Sequence, residues 1–332
     1  MCIWPQLLVL LHQILTVLIQ NHDSSLLGAS LFSVGDIHVR LREFRMNLHQ
    51  KHNVCPRLYF AKVDVKSAFD SIPQEAVLRL MGNVPDPAHK RYTISKHVEI
   101  RHGGITHHRN STDHESGQYL QRWHTTAAAG LRTANQAESD KKNTLFVYPA
   151  TAQTHSTASL LSLLADHVDT NLVRIGKHFY RQKDGIPQGG VLSSLICNYF
   201  YGHLEAEHLD FVKRDDGSLL LRLIDDFLLI TTDKAKAVKF LEVMHAGVPR
   251  YGVCVNTAKT LVNFDVNIAG QTVANILKTD TFPYCGTRIN TCTLDISRDR
   301  DRMINVPVSN SLTVDYGRRP GHNFQRRILS KC

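Results

Sequence analysis

Between residues 219 and 230 the chain reads LLLRLIDDFLLI. Two apolar runs of strand length, Leu219 to Leu223 and Phe227 to Ile230, flank a pair of adjacent carboxylates. The pattern predicts two buried strands joined by a tight hairpin with Asp225 and Asp226 at its tip. A second run, RLYFAKVDVKSAFDSIPQ (57–74), predicts a short strand from Leu58 to Val65 that carries Asp64 near its end, followed by a helical or loop-like path towards Ser71, Ile72 and Pro73. In a third, HFYRQKDGIPQGGVLSSLICNYFYGHLE (178–205), a strand leads into a Gly/Pro turn and then a helix. The apolar positions of that helix, Leu192, Leu195, Ile196, Tyr199, Phe200 and Leu204, keep helical spacing.

These elements place carboxylates at strand ends. Side by side, Asp225 and Asp226 raise each other's pKa unless a positive charge such as a divalent cation neutralises them. Aspartate also forms exposed turns in its own right, so the pair alone leaves both readings open. Adding Asp64 from a second strand end favours the cation. Oxygen-only donors suit Mg²⁺, which keeps waters and substrate phosphates in its remaining positions. Two such ions about 3.5 to 4 Å apart clamp the attacking and leaving oxygens of an in-line phosphoryl transfer. In the third segment Gly185, Gly189 and Gly190 permit close backbone approach, Pro187 stiffens the turn, and Gln188 offers an amide to a base, a sugar or the backbone. Taken alone, that turn is also a plain strand-to-helix connection.

In this order and spacing, the three segments resemble the palm motifs of reverse transcriptases. The wording of SLLGASLFSVGDIH (25–38), KVDVKSAFDSIPQ, YRQKDGIPQGGVLSSLICNYFYGHLE, LLLRLIDDFLLIT, YGVCVNTAKTLVNF (251–264) and FPYCGTRI (282–289) is similar to that of telomerase reverse transcriptases. Leu223 and Ile224 stand before the Asp pair where retroviral enzymes have a Tyr and Met. The long interval between Asp64 and Gly185 resembles the fingers insertion of the telomerase family. The resemblance implies that Asp64, Asp225 and Asp226 form the metal-binding triad for two Mg²⁺ ions, with the backbone carbonyl of Val65 as an extra ligand. It implies that Phe69 is the aromatic gate that crowds a ribose 2′-OH, and that Gln188 and Gly189 line the nucleotide pocket. Lys259 is implied as the general acid that protonates leaving pyrophosphate, and Tyr284, Cys285 and Gly286 as the primer-grip hairpin. The implied activity is RNA-directed DNA synthesis on a single-stranded telomeric DNA primer, with a telomerase RNA template and dNTPs, in the nucleus at the chromosome telomere.

Composition narrows the picture further. The 332 residues carry a formal charge of +9 and a pI near 9.2, which favours a polyanionic partner. The basic cluster Arg318, Arg319, Arg326 and Arg327 is a candidate phosphate contact, or a solvated basic face. Seven scattered cysteines without a CxxC pair point to a reducing compartment. Among the histidines, His97, His102, His107, His108 and His114 lie in a polar stretch without an HExxH or Cys/His ligand pattern, and are expected to be surface residues rather than metal ligands. The N-terminal MCIWPQLLVLLHQILTVLIQ lacks leading basic residues and a small-residue cleavage site, and Pro5, Gln6, His12 and Gln13 argue against a membrane span. Leu8, Leu11, Leu15 and Leu18 share a helical face, so a buried helix is expected and no membrane partner.

The expected fold class is α+β: a reverse-transcriptase palm with an antiparallel sheet and helices packed on one face, partial fingers and a truncated thumb. Residues 1–57 are expected to form a fingers remnant, 58–290 the palm with a polar and partly flexible insertion at about 91–155, and 291–332 the start of a thumb. The family's amino-terminal and RNA-binding domains and the two fingers motifs that hold the triphosphate have no counterpart, so the chain is expected to be a partial catalytic subunit that by itself binds RNA and DNA weakly and extends primers poorly or not at all. Two other readings remain open at this point. A retroelement reverse transcriptase would carry an endonuclease or RNase H pattern, and a non-catalytic nucleic-acid-binding fragment would lack metal-dependent synthesis.

Overall fold

The computed structural model describes residues 11–12, 15–16, 24–51, 56–85, 91–102, 119–129, 144–147, 153–213, 216–276, 279–300 and 321. At its centre is a five-stranded sheet of β1 (Tyr59–Asp64), β8 (Ser218–Leu223), β9 (Asp226–Thr231), β10 (Leu261–Val262) and β13 (Ala274–Asn275), in the order β13-β10-β1-β9-β8. Every pairing in it is antiparallel except β10 with β13. The expected strand pair of 219–230 is thus β8 and β9, and Asp64 ends β1 as the sequence predicts.

The unbroken apolar run of β9 has a direct cause. Phe227, Leu228, Leu229 and Ile230 are all fully buried, and successive side chains enter different cores. Phe227 and Leu229 join Ala61, Val63 and Leu220 on one face, packed against α5 (Ser193–His208) and α7 (Lys234–Ala246). Leu228 and Ile230 join Phe60 and Leu221 on the other, packed against Ile37, Leu41, Phe44 and Leu48 of α1 (Val34–Lys51). Phe282, Tyr284 and Ile289, from β14 (Thr281–Tyr284) and β15 (Thr287–Asn290), complete this second core. The sheet is therefore covered on both faces, not on one. A strand buried twice over shows no alternation, and so hides its second face from a sequence reading.

The other elements frame this sheet. α2 (Ala68–Ser71) and α3 (Gln74–Gly82) follow β1, α4 (Thr157–Asp169) precedes the hairpin of β6 (Leu172–Ile175) and β7 (His178–Arg181), and α6 (Asp210–Lys213) leads into β8. β11 (Asn267–Ile268) and β12 (Gln271–Thr272) form a small hairpin, and β16 (Ile296–Arg298) adds to β15. Leu11 and Leu15 are helical and buried in the first core; Leu8 and Leu18 lie outside the described residues. Among the described residues no helix is long and apolar enough to cross a membrane.

Within the insertion the described residues form strands that the sequence pattern does not name. β2 (Arg91–His102), β3 (Tyr119–Ala129), β4 (Thr144–Val147) and β5 (Gln153–Ser156) pair antiparallel, with β2 bonded to β3 along its whole length and to β4 and β5. His97 and His102 fall on β2, whereas His107, His108 and His114 lie outside the described residues. So do Arg318, Arg319, Arg326 and Arg327.

Candidate active site

β1 and β9 run in a register that sets Asp64 directly opposite Asp226. Directly opposed residues share a face with Cβ atoms about 4.5 to 5.5 Å apart, so these carboxylates meet. Asp225 stands beside them in the hairpin tip, which consists of Ile224 and Asp225 alone; Asp226 is the first residue of β9 rather than part of the tip. Ile224 has φ of 60°, the sign that primed two-residue hairpins require at their first central position. A β-branched residue there costs about 1 to 2 kcal/mol, so neighbouring bonds must hold the turn. The amide of Val65, a buried residue, donates to the Asp225 carbonyl at 3.2 Å and ties the tip to the end of β1.

Electrostatically the three carboxylates are crowded. Burial, followed by repulsion from Asp226 and Asp64, pushes Asp225 above the usual carboxylate range. Asp226 is pushed up by burial and by Asp64, against the pull of Lys62. Two lysines compensate in part: Lys259 Nζ lies 3.0 Å from Asp64 Oδ2, and Lys62 Nζ lies 3.9 Å from Asp226 Oδ1. Lys259 ends a short 3-10 turn, Thr257–Lys259, that follows Val253. There the Asn256 amide donates to the Asp64 carbonyl at 2.8 Å, and the Cys254 carbonyl accepts from Lys66 at 2.7 Å. The hydrogen bond to Asp64 raises the Lys259 pKa and keeps the ammonium charged. Among the described residues, no group of three or more His, Cys, Asp or Glu side chains is placed so as to hold a metal ion by itself. The donor set nevertheless fits a hard divalent cation: oxygen ligands only, with more negative charge than two lysines offset and room for exchangeable waters.

Behind the tip, a network that sequence reasoning missed fixes the turn. Arg222 is fully buried, and its Nε donates to Glu205 Oε1 at 2.6 Å. Its Nη1 donates to Asn198 Oδ1 at 3.0 Å and to the Ile224 carbonyl at 3.3 Å, and Nη2 donates to the Leu27 carbonyl and Ser30 Oγ. Glu205 Oε2 in turn accepts from the Ala29 amide at 2.6 Å. The SLLGAS segment, the helix after the Gly/Pro turn and the Asp hairpin are thus joined through one guanidinium. A signal was available, since an arginine inside LLLRL must be paired if it is buried.

Tyr284 also acts on the hairpin. It is buried, its hydroxyl donates to the Asp226 carbonyl at 3.0 Å, and the Leu223 amide donates to that hydroxyl at 3.2 Å. The implied primer-grip segment therefore places the Tyr284 ring in the second core, with the phenol tethering the base of the tip. Cys285 and Gly286 form the two-residue turn between β14 and β15, with φ of 47° and 78°. Cys285 Sγ approaches Asp226 Oδ2 at 3.7 Å, and its thiol is pushed up to about 12 by burial and by Asp226.

The remaining implied residues belong to a neighbouring wall. The Phe69 carbonyl accepts from the Ile186 amide at 2.7 Å, and a Cβ on Gly185 would lie 2.4 Å from that carbonyl, so this contact requires glycine. Gln74 Nε2 donates to the Gly185 carbonyl at 2.9 Å, and the Ser193 hydroxyl donates to the Pro187 carbonyl. Gly189 meets nothing that a Cβ would strike, and its φ of 76° alone favours glycine. The Phe69 side chain is half-buried against the first core. Gln188 is exposed and lines a cavity of about 770 Å³ together with Asp70, His167 and Tyr180. The carboxylates, Lys62 and Lys259 thus gather at the sheet end, while Gln188 and Gly189 belong to the adjoining strand-to-helix turn, which Phe69 of α2 meets through its carbonyl.

The profile of the family "Reverse transcriptase (RNA-dependent DNA polymerase)" matches residues 133–289. The telomerase reverse transcriptase of the dog, Canis lupus familiaris, is 33% identical over 311 residues, covering 92% of this chain and 27% of the dog protein. That of rice, Oryza sativa subsp. japonica, is 26% identical over 333 residues, 94% of this chain and 25% of its own length. The chain thus spans about a quarter of the curated relatives it matches. In fold it is similar to apo telomerase of Candida tropicalis (TM-score 0.58, 24% identity, 89% of this chain and 41% of that one). Telomerase of Candida albicans in complex with a fragment of telomeric RNA gives a TM-score of 0.59 at 21% identity, over 88% of this chain and 39% of that one.

Proposed function

We propose that this chain, which belongs with the telomerase reverse transcriptases by sequence and fold, houses the nucleotidyl-transfer centre of an RNA-directed DNA polymerase that copies an RNA template onto the 3′ end of a telomeric DNA primer. The observation that carries the reading is the register of Asp64 against Asp226 beside the Asp225 turn, with Lys259 on Asp64. Asp64, Asp225 and Asp226, with the Val65 carbonyl, would hold Mg²⁺. Divalent cations at such a site supply charge neutralisation at the transferred phosphate and activation of the attacking hydroxyl.

The chain's own groups do the rest. Lys259, held protonated by Asp64, donates its proton to the leaving pyrophosphate as charge builds there. The Phe69 ring crowds a ribose 2′-OH, so that dNTPs are accepted over ribonucleotides. Gln188 and Gly189 receive the nucleotide beside it, and Cys285 and Gly286 bring a tight backbone turn towards the primer end. Tyr284 and Arg222 act at one remove, fixing the hairpin on which Asp225 and Asp226 are mounted; positioning of this kind dominates phosphoryl transfer. The corresponding working place is the nucleus, at telomeres, in a complex with the templating RNA. The palm is assigned to 58–290 with the insertion at 91–155, the fingers portion to 1–57 and the thumb portion to 291–332.

The test is primer extension by the chain with a DNA primer annealed to an RNA template, dNTPs and Mg²⁺, run beside Asp225→Ala. Synthesis that depends on Asp225 and on an RNA template supports the reading. Synthesis unchanged in Asp225→Ala would remove the carboxylate site from the chemistry.

A further inference from the structure

The β6–β7 hairpin is not explained by the carboxylate site. All eight of its strand residues are exposed, including Leu172 at 65%, Ile175 at 64%, Phe179 at 68% and Tyr180 at 52%. Its strand pairs set Arg174 opposite Phe179 and Val173 opposite Tyr180, so the two aromatic rings stand on opposite faces of a narrow two-stranded ribbon. The Arg174 guanidinium lies 5.9 Å from the centre of the Phe179 ring, giving a paired cationic and aromatic surface.

Between Leu172 and Lys183 the sequence contains Arg174, Lys177, Arg181 and Lys183 and no acidic residue. The root of the ribbon is fixed. Arg181 pairs with Asp169 at 2.8 Å, and Asn171 Nδ2 donates to Gln182 Oε1 at 2.8 Å. The tip turns at Gly176, with φ of 62°. One side of the ribbon also walls the cavity of about 770 Å³ whose far wall is Pro187, Gln188 and Gly189. In that cavity lining the Nε2 of His167 is buried without a hydrogen-bond partner, a polar atom that a bound ligand would satisfy.

We propose that the β6–β7 hairpin binds single-stranded nucleic acid, stacking bases on Phe179 and Tyr180 while Arg174 and Lys177 track the phosphates, and leads the strand towards the cavity beside Gln188. The proposal rests on the polymerase reading for the identity of the polymer. Its own support is the combination of exposed aromatic faces with the positive charge of Arg174 and Lys177, which meet no ion-pair partner among the described residues; sequence-tolerant single-strand sites are built in this way. A protein partner would be expected to meet a contiguous apolar patch, whereas here the rings face opposite ways and are interleaved with cations. The strand bound is the RNA or the DNA, which share this chemistry.

The experiment is fluorescence anisotropy on the 332-residue chain with labelled single-stranded RNA, DNA of the same sequence, and a duplex, across a salt series. Phe179→Ala and Tyr180→Ala should each weaken single-strand binding about fivefold or more, while Phe179→Trp keeps it and adds indole quenching as the base stacks. Arg174→Ala with Lys177→Ala should lower the slope of log affinity against log salt by about 1.4, the value for two phosphate contacts on a single strand. A larger loss for RNA than for DNA identifies the templating strand, and the reverse identifies the primer. Circular dichroism checks that each variant is folded. Folded alanine variants that bind as the parent does, a parent that binds neither single strand at low salt, or a change in oligomeric state with binding unaltered would each overturn the proposal. Asp225→Ala separates the two claims: single-strand binding that needs Phe179 and Tyr180, together with synthesis that does not need Asp225, would leave the hairpin in place and sink the carboxylate site.

Discussion

Arg222 and Asp226 belong to the same hairpin but to opposite faces of the sheet. Arg222 lies on the face of Leu220 and Phe227, fully buried, with Glu205 beside it and an acceptor for each of its nitrogens. Asp226 alternates with Leu228 and Ile230 on the other face, where it meets Asp64 across the strand pair and has its nearest cation, Lys62, at 3.9 Å. One face has its charge matched in a dry interior. The other carries surplus negative charge at a partly open edge, and burial and repulsion push Asp225 and Asp226 up. The contrast separates two kinds of charge: Arg222 is saturated by the chain itself, whereas the carboxylates at the open edge are left in excess of the two lysines that face them, as the proposed cation site requires.

The comparison can be broken most severely at the open face. Asp225→Ala should reduce templated extension by at least about 10³-fold, the scale of losing a preorganised electrostatic group, with little loss of thermal stability. A large loss of stability with activity retained would reverse the roles of the two faces.

At the closed face, Glu205→Ala strands a buried guanidinium and should destabilise the fold by about 3 to 5 kcal/mol in urea unfolding. Replacing both partners with Arg222→Met and Glu205→Leu should restore most of that stability. It should not restore extension, because the Ile224 carbonyl loses its donor and the turn under Asp225 loosens. Full recovery of both would show that Arg222 holds the fold and does not position the site.

Tyr284→Phe is a smaller perturbation. It keeps the ring in the second core and removes the hydroxyl shared by Leu223 and Asp226, at a cost of about 1 to 3 kcal/mol. Turnover should fall while KM for primer and dNTP changes little, since the phenol touches the hairpin and not the substrate. A rise in primer KM at constant turnover would instead favour direct contact with the primer.

The smallest effect is one of pH. Asp226 has a folded-state pKa above its unfolded value, so its favourable contribution is present when it is protonated, below the unfolded pKa, and is lost as pH rises through the folded value. In EDTA at pH 7, Asp226→Asn should therefore melt higher than the parent, and the gap should close as pH falls below about 4. A parent more stable than the variant at pH 7 would mean that Lys62 outweighs burial and Asp64 repulsion.

Much of this arrangement was legible in the chain. The apolar runs around Asp225 and Asp226 and the strand before Asp64 read directly as β8, β9 and β1, because strand length and turn chemistry are local. Helical spacing from Leu195 to Leu204 likewise marked α5. What escaped was non-local. Two-sided burial of Phe227 to Ile230 removes the alternation that would have revealed α1 and β14 on the second face. Arg222 finds Glu205, Asn198 and Ser30 across long sequence separations, so its partners could not be named from LLLRL. Lys62 was closer to hand, being two residues before Asp64 and therefore on its face. The strand at 91–102 was missed for another reason: Tyr92, Ile94, Val98 and Ile100 keep a strand period, but the interleaved histidines and charges made the segment read as a polar insertion.

The most direct measurement is Mn²⁺ binding by the metal-free chain, followed by electron paramagnetic resonance as a stand-in for Mg²⁺, in the parent, Asp64→Asn and Asp225→Asn. A shared carboxylate site predicts that the parent binds Mn²⁺, that Mg²⁺ displaces it, and that either substitution weakens binding at least tenfold while the Arg222 network and the melting transition stay intact. Equal Mn²⁺ affinity in all three proteins would contradict it, and would leave Asp64, Asp225 and Asp226 as a strained but inert cluster at the end of the sheet.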